Sequence, residues 1–348
     1  MRRRALAVLP LVILAGCVSV SPQHVTTDRM EYGQVVADSW KRQTLLNVVR
    51  MRYADAPVFL EIASIINSYS VAGKASAAAT LPSRTDPNVF NLGTEGTWSN
   101  TPTVTYQPVL GDRFTKSMLQ PVPPIAIFQL LQGGWPPEIV LPTVVGSINE
   151  LRNTYAGVGA DPGFRQLVES LSRIQRAGGL GIRIEPRKDG SAIVIVLRQN
   201  GKEAGLADDA RQVHALLGLE AGIHEFDIAY GLVPRNRREV AVLSRSMLDV
   251  MLQLGFGVDL PAEHAKEGRA LPGRATAGEA KAEQLVHIRS GTQAPADAYT
   301  AVPYKGYWYW IDDTDIASKR AFTFLLILFS LAETGQSVAV PIVTVPSR

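Results

Sequence analysis

The spacing of apolar residues changes several times between helical and strand periods in the second half of the chain. After Asp161-Pro162, a helix start, Phe164, Leu167 and Leu171 recur at helical spacing, and the pattern ends at Gly178-Gly179. Residues 180–185 and 192–198 then alternate with period two around a turn at 187–190, which predicts a hairpin. A further helix over 207–217 ends at Gly218.

Further strands and helices follow in mixed order. The pattern predicts strands over 223–230, 239–243, 285–289, 299–311 and 337–345, a helix capped by Ser244, and an apolar helix over about 316–333. Because hairpins outnumber βαβ units, we expect an α+β fold with a mixed, mainly antiparallel sheet and packed helices.

The first half gives weaker signals. Residues 34–53 have helical composition, and 57–69 fit either an alternating strand or a buried helix. Pro123-Pro124 and Gly133-Gly134 bracket a helix, and Ser147 to Glu150 reads as a capping box. We therefore expect a mostly helical region over 31–160 with an extended polar segment at 72–108, in which 103–106 form a strand. An α+β region over 161–348 follows, with a loop at 261–280.

The N-terminus has the pattern of an export signal. Three arginines, Arg2 to Arg4, precede an uncharged apolar stretch that is too short to span a bilayer. Leu14-Ala15-Gly16-Cys17 then resembles the lipobox of bacterial lipoproteins. The resemblance implies that residues 1–16 are removed, that Cys17 is lipidated, and that 17–30 tether the folded part to a membrane. Val18 in place of Asp implies, by the same resemblance, the periplasmic face of the outer membrane.

The alternative is an ordinary signal peptide with a chance cysteine. Cys17 is the only cysteine in the chain, and lipidation would account for an exported thiol that has no disulfide partner. Removal of Arg2 to Arg4 would also bring the 35 Lys and Arg close to balance with the 32 Asp and Glu. A neutral chain without a basic run does not favour binding to nucleic acid.

A second membrane-spanning candidate is the uncharged run at 321–331. It is short and flanked by Lys319, Arg320 and Glu333, which favours a buried core helix.

Catalytic and cofactor motifs are missing from the sequence. It contains no glycine-rich nucleotide loop, no nucleophile elbow and no zinc-protease motif, and no serine is followed three residues later by lysine. His24, His214, His224, His264 and His287 never lie three or four apart. His224, Glu225 and Asp227 cluster, but a strand would turn the histidine away from the carboxylates. We therefore predict no cofactor and no metal site.

The aromatic run Tyr304-Lys-Gly-Tyr307-Trp-Tyr-Trp310 is the strongest candidate for a ligand site. On one continuous strand, Tyr304, Trp308 and Trp310 would share a face and could stack on a sugar, while Tyr307 and Tyr309 would lie on the other. The alternative, which we favour, is a central strand buried on both faces against the apolar helix that follows.

Three carboxylates come directly after that strand. Asp312, Asp313 and Asp315 could hold a hard cation such as Ca²⁺. Their spacing does not match an EF-hand loop, and negative charge also suits the first turn of the next helix. We expect helix capping.

Two C-terminal segments, 243–252 and 304–331, resemble segments of uncharacterised predicted bacterial lipoproteins. The resemblance implies a shared fold and no activity. The leading hypothesis is a non-enzymatic scaffold or protein-binding lipoprotein of the cell envelope. The alternatives are a lipoprotein that binds cell-wall glycan or another small ligand through Tyr304, Trp308 and Trp310, and a hydrolase using carboxylates among Asp312, Asp313, Asp315 and Glu225.

Overall fold

A computed structural model describes residues 22–80, 89–187, 190–197, 205–272 and 284–332. The predicted signal, Cys17 and the predicted strand at 337–345 lie outside these residues. The predicted α+β class is confirmed, because helices pack with sheets whose strand pairs are antiparallel apart from one.

Helices alternate with strands along the described part of the chain. Their bounds are α1 (Pro22–Arg52), α2 (Gly111–Phe114), α3 (Pro124–Gln132), α4 (Pro137–Val144), α5 (Pro162–Arg176), α6 (Leu206–Leu217), α7 (Met247–Gly255), α8 (Ala262–Lys266) and α9 (Ile316–Ala332). A single π-helical turn, Thr115–Leu119, continues α2.

The strands form separate sheets. Their bounds are β1 (Leu60–Thr80), β2 (Val89–Pro108), β3 (Val145–Ile148), β4 (Leu151–Arg152), β5 (Leu180–Arg187), β6 (Gly190–Leu197), β7 (Glu225–Tyr230), β8 (Glu239–Ser244), β9 (Arg289–Gly291), β10 (Ala298–Tyr304) and β11 (Tyr307–Asp312).

The chain divides into two units that alternate along the sequence. Unit 1 takes its residues from 1–55, 154–160 and 251–326, and unit 2 takes them from 56–153, 161–250 and 327–348. One change of unit falls between Ala160 and Asp161, and the division of the sequence into 31–160 and 161–348 stays a prediction. The region 31–160 is not mostly helical, because β1 and β2 occupy much of it.

Unit 1 contains a three-stranded antiparallel sheet in the order β10-β11-β9. Apolar side chains of α1 and α9 contribute to its core, and Leu45, Phe322 and Phe324 among them are fully buried. A parallel bridge joins Val258 to Ile288. Beside it, a Cβ on Gly257 would come within 1.9 Å of the Val286 carbonyl oxygen, so this close approach of two backbones requires glycine.

Unit 2 is built on a six-stranded sheet in the order β4-β3-β8-β7-β6-β5, in which only the β7–β8 pair is parallel. The predicted helices α3, α5 and α6 and the β5–β6 hairpin are confirmed. Side chains such as Phe128, Leu167 and Phe226 line a cavity of about 20 Å³ between helices and sheet. The cavity has room for about one water and is lined by apolar groups only.

Two predicted helix caps are wrong. Asn149 and Glu150 have φ values of 42° and 70°, so they form the tight turn between β3 and β4 and not a helix start. The Asn149 side chain bonds the backbone at Leu217, Glu239 and Ala241, which holds this left-handed conformation. At α7 the capping residue is Ser246, which exchanges hydrogen bonds with Asp249, and not Ser244.

The longest strands, β1 and β2, pair with each other and with no further strand among the described residues. Their antiparallel register runs from Leu60↔Pro108 to Thr80↔Val89, which makes a two-stranded ribbon roughly 65 Å long. The strand interpretation of 57–69 is therefore correct. The polar segment at 72–108 contributes the outer part of β1 and all of β2.

The base of this ribbon is fixed within unit 2. Arg113 forms an ion pair with Glu61, and the ring of Phe59 lies 6.1 Å from the rings of Phe114 and Phe329. In this basal part, the side chains of β2 from 103 to 108 are all exposed, including Val104 and Tyr106. Contacts within this chain thus hold one end of the ribbon.

The apolar helix α9 packs as expected for a core helix. Phe322, Phe324 and Leu325 on it are fully buried. Among the residues that the structure describes, no helix combines the length and apolar character needed to cross a membrane.

Candidate functional site

A two-residue turn decides the geometry of the aromatic run. Lys305 and Gly306 have φ values of 46° and 84°, which join β10 and β11 into a tight hairpin. Tyr304 therefore lies directly opposite Tyr307, and directly opposed residues share a face. The prediction that Tyr304 lies on the face of Trp308 and Trp310 is wrong, because it treated the run as one strand.

The central strand β11 is covered on one face only. Tyr309 and Ile311 are fully buried, and Val302 on β10 is 4 % exposed. Trp308 and Trp310 alternate with these residues and are half-buried. Burial on both faces, the interpretation that the sequence favoured, is therefore not observed. The two indoles belong to the more open face of the sheet.

Small residues surround the two tryptophans. Trp308 lies opposite Pro303 and Gly291, and Trp310 lies opposite Ala301. A Cβ on Gly291 would be 3.2 Å from the Trp310 ring, so the indole lies directly over this glycine. The Trp310 ring thus occupies the space that a side chain at position 291 would take.

A charged pair lies at the edge of this face. Arg289 is the cross-strand neighbour of Trp310, and its guanidinium is 2.9 Å from the carboxylate of Asp312. Aromatic surface next to a few fixed polar groups is the usual composition of a small-ligand site. We call Trp308, Trp310, Arg289 and Asp312 the indole face.

Each carboxylate after β11 has its own structural task. Asp315 accepts hydrogen bonds from the backbone N–H and the hydroxyl of Ser318, at 3.0 and 2.6 Å, so it caps α9 as predicted. Asp312 accepts two bonds from Thr314, and Asp313 pairs with Lys319 at 2.6 Å. In the described part of the chain, no group of three or more His, Cys, Asp or Glu could hold a metal ion.

These contacts also bear on the hydrolase hypothesis. The Ser318 hydroxyl and N–H lower the pKa of Asp315, and the two Thr314 bonds lower the pKa of Asp312. A general acid needs the opposite, a carboxyl with a raised pKa. Glu225 belongs to unit 2 and pairs there with Arg183 at 2.7 Å.

A buried polar cluster lies on the opposite side of the β10–β11 hairpin, and the sequence did not predict it. The Tyr53 hydroxyl is 2.7 Å from Nδ1 of His264 and 2.5 Å from the hydroxyl of Tyr309. All three side chains are buried. Burial raises the pKa of both tyrosines, so both are neutral at pH 7. The tautomer of His264 sets the direction of donation, and in either direction the Tyr53 hydroxyl donates one of the two hydrogen bonds and accepts the other.

The rim of the cluster is charged. Asp55 accepts a hydrogen bond from Tyr304 and forms an ion pair with Lys305 at 2.8 Å, and Lys305 also lies 5.2 Å from the centre of the Tyr53 ring. Burial and the neighbouring Asp55 raise the pKa of Tyr304 to about 12. Since these groups are already paired with one another, the cluster joins the end of α1, α8 and the hairpin within unit 1.

Comparisons of the chain with protein-family models, with curated proteins and with solved structures found no match.

Removing the central hydroxyl of the cluster should destabilise the protein. Tyr53→Phe leaves His264 and Tyr309 without their shared partner, which costs about 1–3 kcal/mol for buried polar groups. Urea unfolding followed by circular dichroism measures the loss. Tyr230→Phe, at a tyrosine that is 56 % exposed, is the matched control and should change the free energy of unfolding little. Equal stability of the two variants would contradict the role of the cluster.

The Asp315 cap should make stability depend on acid pH. Because the pKa of Asp315 is lowered in the folded state, its contribution is complete above about pH 4 and is lost as the pH falls through the folded pKa. Asp315→Ala should cost about 1 kcal/mol at pH 7, and the difference from the original chain should shrink towards pH 2. Asp313→Ala, which removes only a surface ion pair, should stay within about 0.5 kcal/mol. A difference that stays constant with pH would rule out the carboxylate cap.

Proposed function

We propose that this chain is a lipid-anchored scaffold of the bacterial envelope, held through Cys17 at the outer membrane, that contacts protein partners through the β1–β2 ribbon. The observation that carries the proposal is the ribbon itself. Within the residues that the structure describes, β1 and β2 form a sheet of their own, and Val104 and Tyr106 near its base are exposed. A two-stranded hairpin is only marginally stable by itself in water, so a ribbon of this length favours a protein partner.

Lipidation of Cys17 would hold the scaffold at the membrane. The proposal takes Cys17 as the acylated first residue of the mature chain, and two or more acyl chains would hold it durably in the membrane. Residues from Pro22 onward belong to α1, a helix of 31 residues and about 46 Å, which would begin a few residues after the lipidated cysteine.

The anchor is tested by one substitution. Cys17→Ser should abolish incorporation of a labelled fatty acid and release the chain from the outer-membrane fraction, whereas the original chain is labelled and sediments with that fraction. Ser19→Ala, two residues further on, is the matched control and should behave like the original chain. A soluble, unlabelled original chain would contradict the anchor.

A second candidate function is recognition of cell-wall glycan by the indole face. The observation that favours it is the half-buried state of Trp308 and Trp310 on the open side of β11, beside the Arg289–Asp312 pair. Indoles stack on the apolar faces of sugar rings, and a charged pair can orient the hydroxyls and acetamido groups around them.

Binding to isolated cell-wall disaccharide fragments tests this second function. Trp308→Ala and Trp310→Ala should each weaken the affinity, measured by calorimetry, by about 2- to 10-fold, because stacking of aromatic faces is worth about 0.5–1.5 kcal/mol. Tyr230→Ala removes an exposed aromatic ring elsewhere and should leave the affinity unchanged. Absence of binding by the original chain, or equal affinity of all variants, would contradict glycan recognition.

A further inference from the structure

The register of the ribbon divides its residues into two chemically different faces. Residues two apart on a strand share a face, and so do directly opposed residues. One face takes the odd-numbered positions of β1 from 65 and their partners on β2. Its apolar members are Ile65, Tyr69, Val71, Ala75, Ala77 and Ala79 with Phe90, Leu92, Trp98 and Val104. Asn67, Thr94 and Asn100 interrupt it.

The other face is polar. It takes the even-numbered positions of β1 and their partners on β2, and Ser and Thr predominate. Its members from 68 onward include Ser68, Ser70, Ser76 and Thr80 with Thr97, Ser99 and Thr101. The register therefore sorts apolar and polar positions with a period of two, although neither strand joins a larger sheet within the described ranges of the chain.

The edges of the ribbon carry little that would prevent pairing. Natural proteins protect exposed edge strands with lysine, proline and other charges. Between 64 and 80 and between 89 and 101 there is no proline, and the only charged residues are Lys74 and Glu95. These two lie directly opposite each other in the register. Two long rows of backbone N–H and C=O groups are thus open to another strand.

We propose that the ribbons of several copies of this chain pair edge to edge, with β1 of one copy antiparallel to β2 of the next. This deepens the proposed scaffold function and rests on it, since it names the partner of the ribbon as a second copy. The arrangement repeats the strand order of the single ribbon and keeps the odd-numbered positions of β1, with their partners on β2, on one side throughout. It also brings Lys74 of one copy towards Glu95 of the next, so that opposite charges alternate along the polar side. A head-to-tail contact of this kind joins more than two copies.

Cysteine cross-linking tests the pairing, because the chain has no cysteine besides Cys17. Two differently tagged copies of the full chain are co-expressed, one carrying Ser70→Cys on β1 and the other carrying Thr97→Cys, Ser99→Cys or Thr101→Cys on β2. Mild oxidation is applied to whichever cell fraction contains the chain, so the outcome does not depend on the anchor. We expect a disulfide between the two tagged copies for at least one of the three β2 positions, since neighbouring antiparallel strands meet the distance limit for a disulfide.

Control variants test whether cross-links arise from random collision of two copies and whether the two faces of the ribbon differ. Arg165→Cys, on the exposed side of α5, should give no cross-link to a second copy. Adding Val71→Glu to the Ser70→Cys copy places a charge on the apolar side and should reduce the cross-link roughly tenfold or more, whereas Ala72→Glu, on the polar side, should preserve it. Equal effects of these two neighbouring substitutions would overturn the two-faced sheet.

Photo-crosslinking distinguishes self-pairing of the ribbon from the proposed scaffold function. A benzophenone attached at Ser70→Cys and activated by light labels whatever protein lies at the ribbon. Cross-links to another protein only would overturn self-pairing and leave the scaffold function standing. Cross-links between two Ser70→Cys copies would overturn the pairing of β1 with β2, and no product of any kind would overturn both.

Discussion

The buried hydroxyl of Tyr309 is the constraint on which the arrangement of unit 1 depends. A tyrosine with no exposed surface needs a hydrogen-bond partner, because an unpaired buried hydroxyl is costly. Tyr53 supplies that partner and is itself satisfied by His264, so the end of α1 and α8 are fixed against β11. Once Tyr309 faces inward, the alternation of the strand turns Trp308 and Trp310 outward. The indole face is thus a geometric consequence of the buried cluster behind it.

The ribbon is a second constraint, because in the described part of the chain it forms a two-stranded sheet of its own. Prolines and charges usually protect the open edges of a sheet, but between 64 and 80 and between 89 and 101 the sequence contains no proline and only two charges, Lys74 and Glu95. Alternation of apolar and polar positions over this length suits a sheet with one side against an apolar surface and the other against water. For these reasons the ribbon, more than any pocket, directs the functional proposal towards assembly.

The sequence predicted a helix correctly where the residues that begin and end it lie next to it in the chain. Asp161-Pro162 and Gly178 bracket α5, Gly218 ends α6, and Asp315 caps α9.

Two other local patterns led to wrong predictions. Asn149 takes the left-handed conformation because the distant carbonyls of Leu217 and Glu239 and the N–H of Ala241 bind its side chain. The Lys305-Gly306 turn lies inside an aromatic run that reads as one strand. Small residues such as Ala75 to Ala79 have low strand propensity, so much of β1 and β2 was read as a polar surface segment.

The sequence by itself determined the α+β class, most of the elements of unit 2 and the residues around which a ligand site was sought, because hydrophobic period and capping chemistry act between neighbours in the chain. Only the tertiary structure decided which face of β11 is open, and it alone brought Tyr53, His264 and Tyr309 together across more than 200 residues. It also gave the register that makes the ribbon two-faced. These features depend on contacts between distant segments, and a burial requirement at one residue selects a partner that no local pattern identifies.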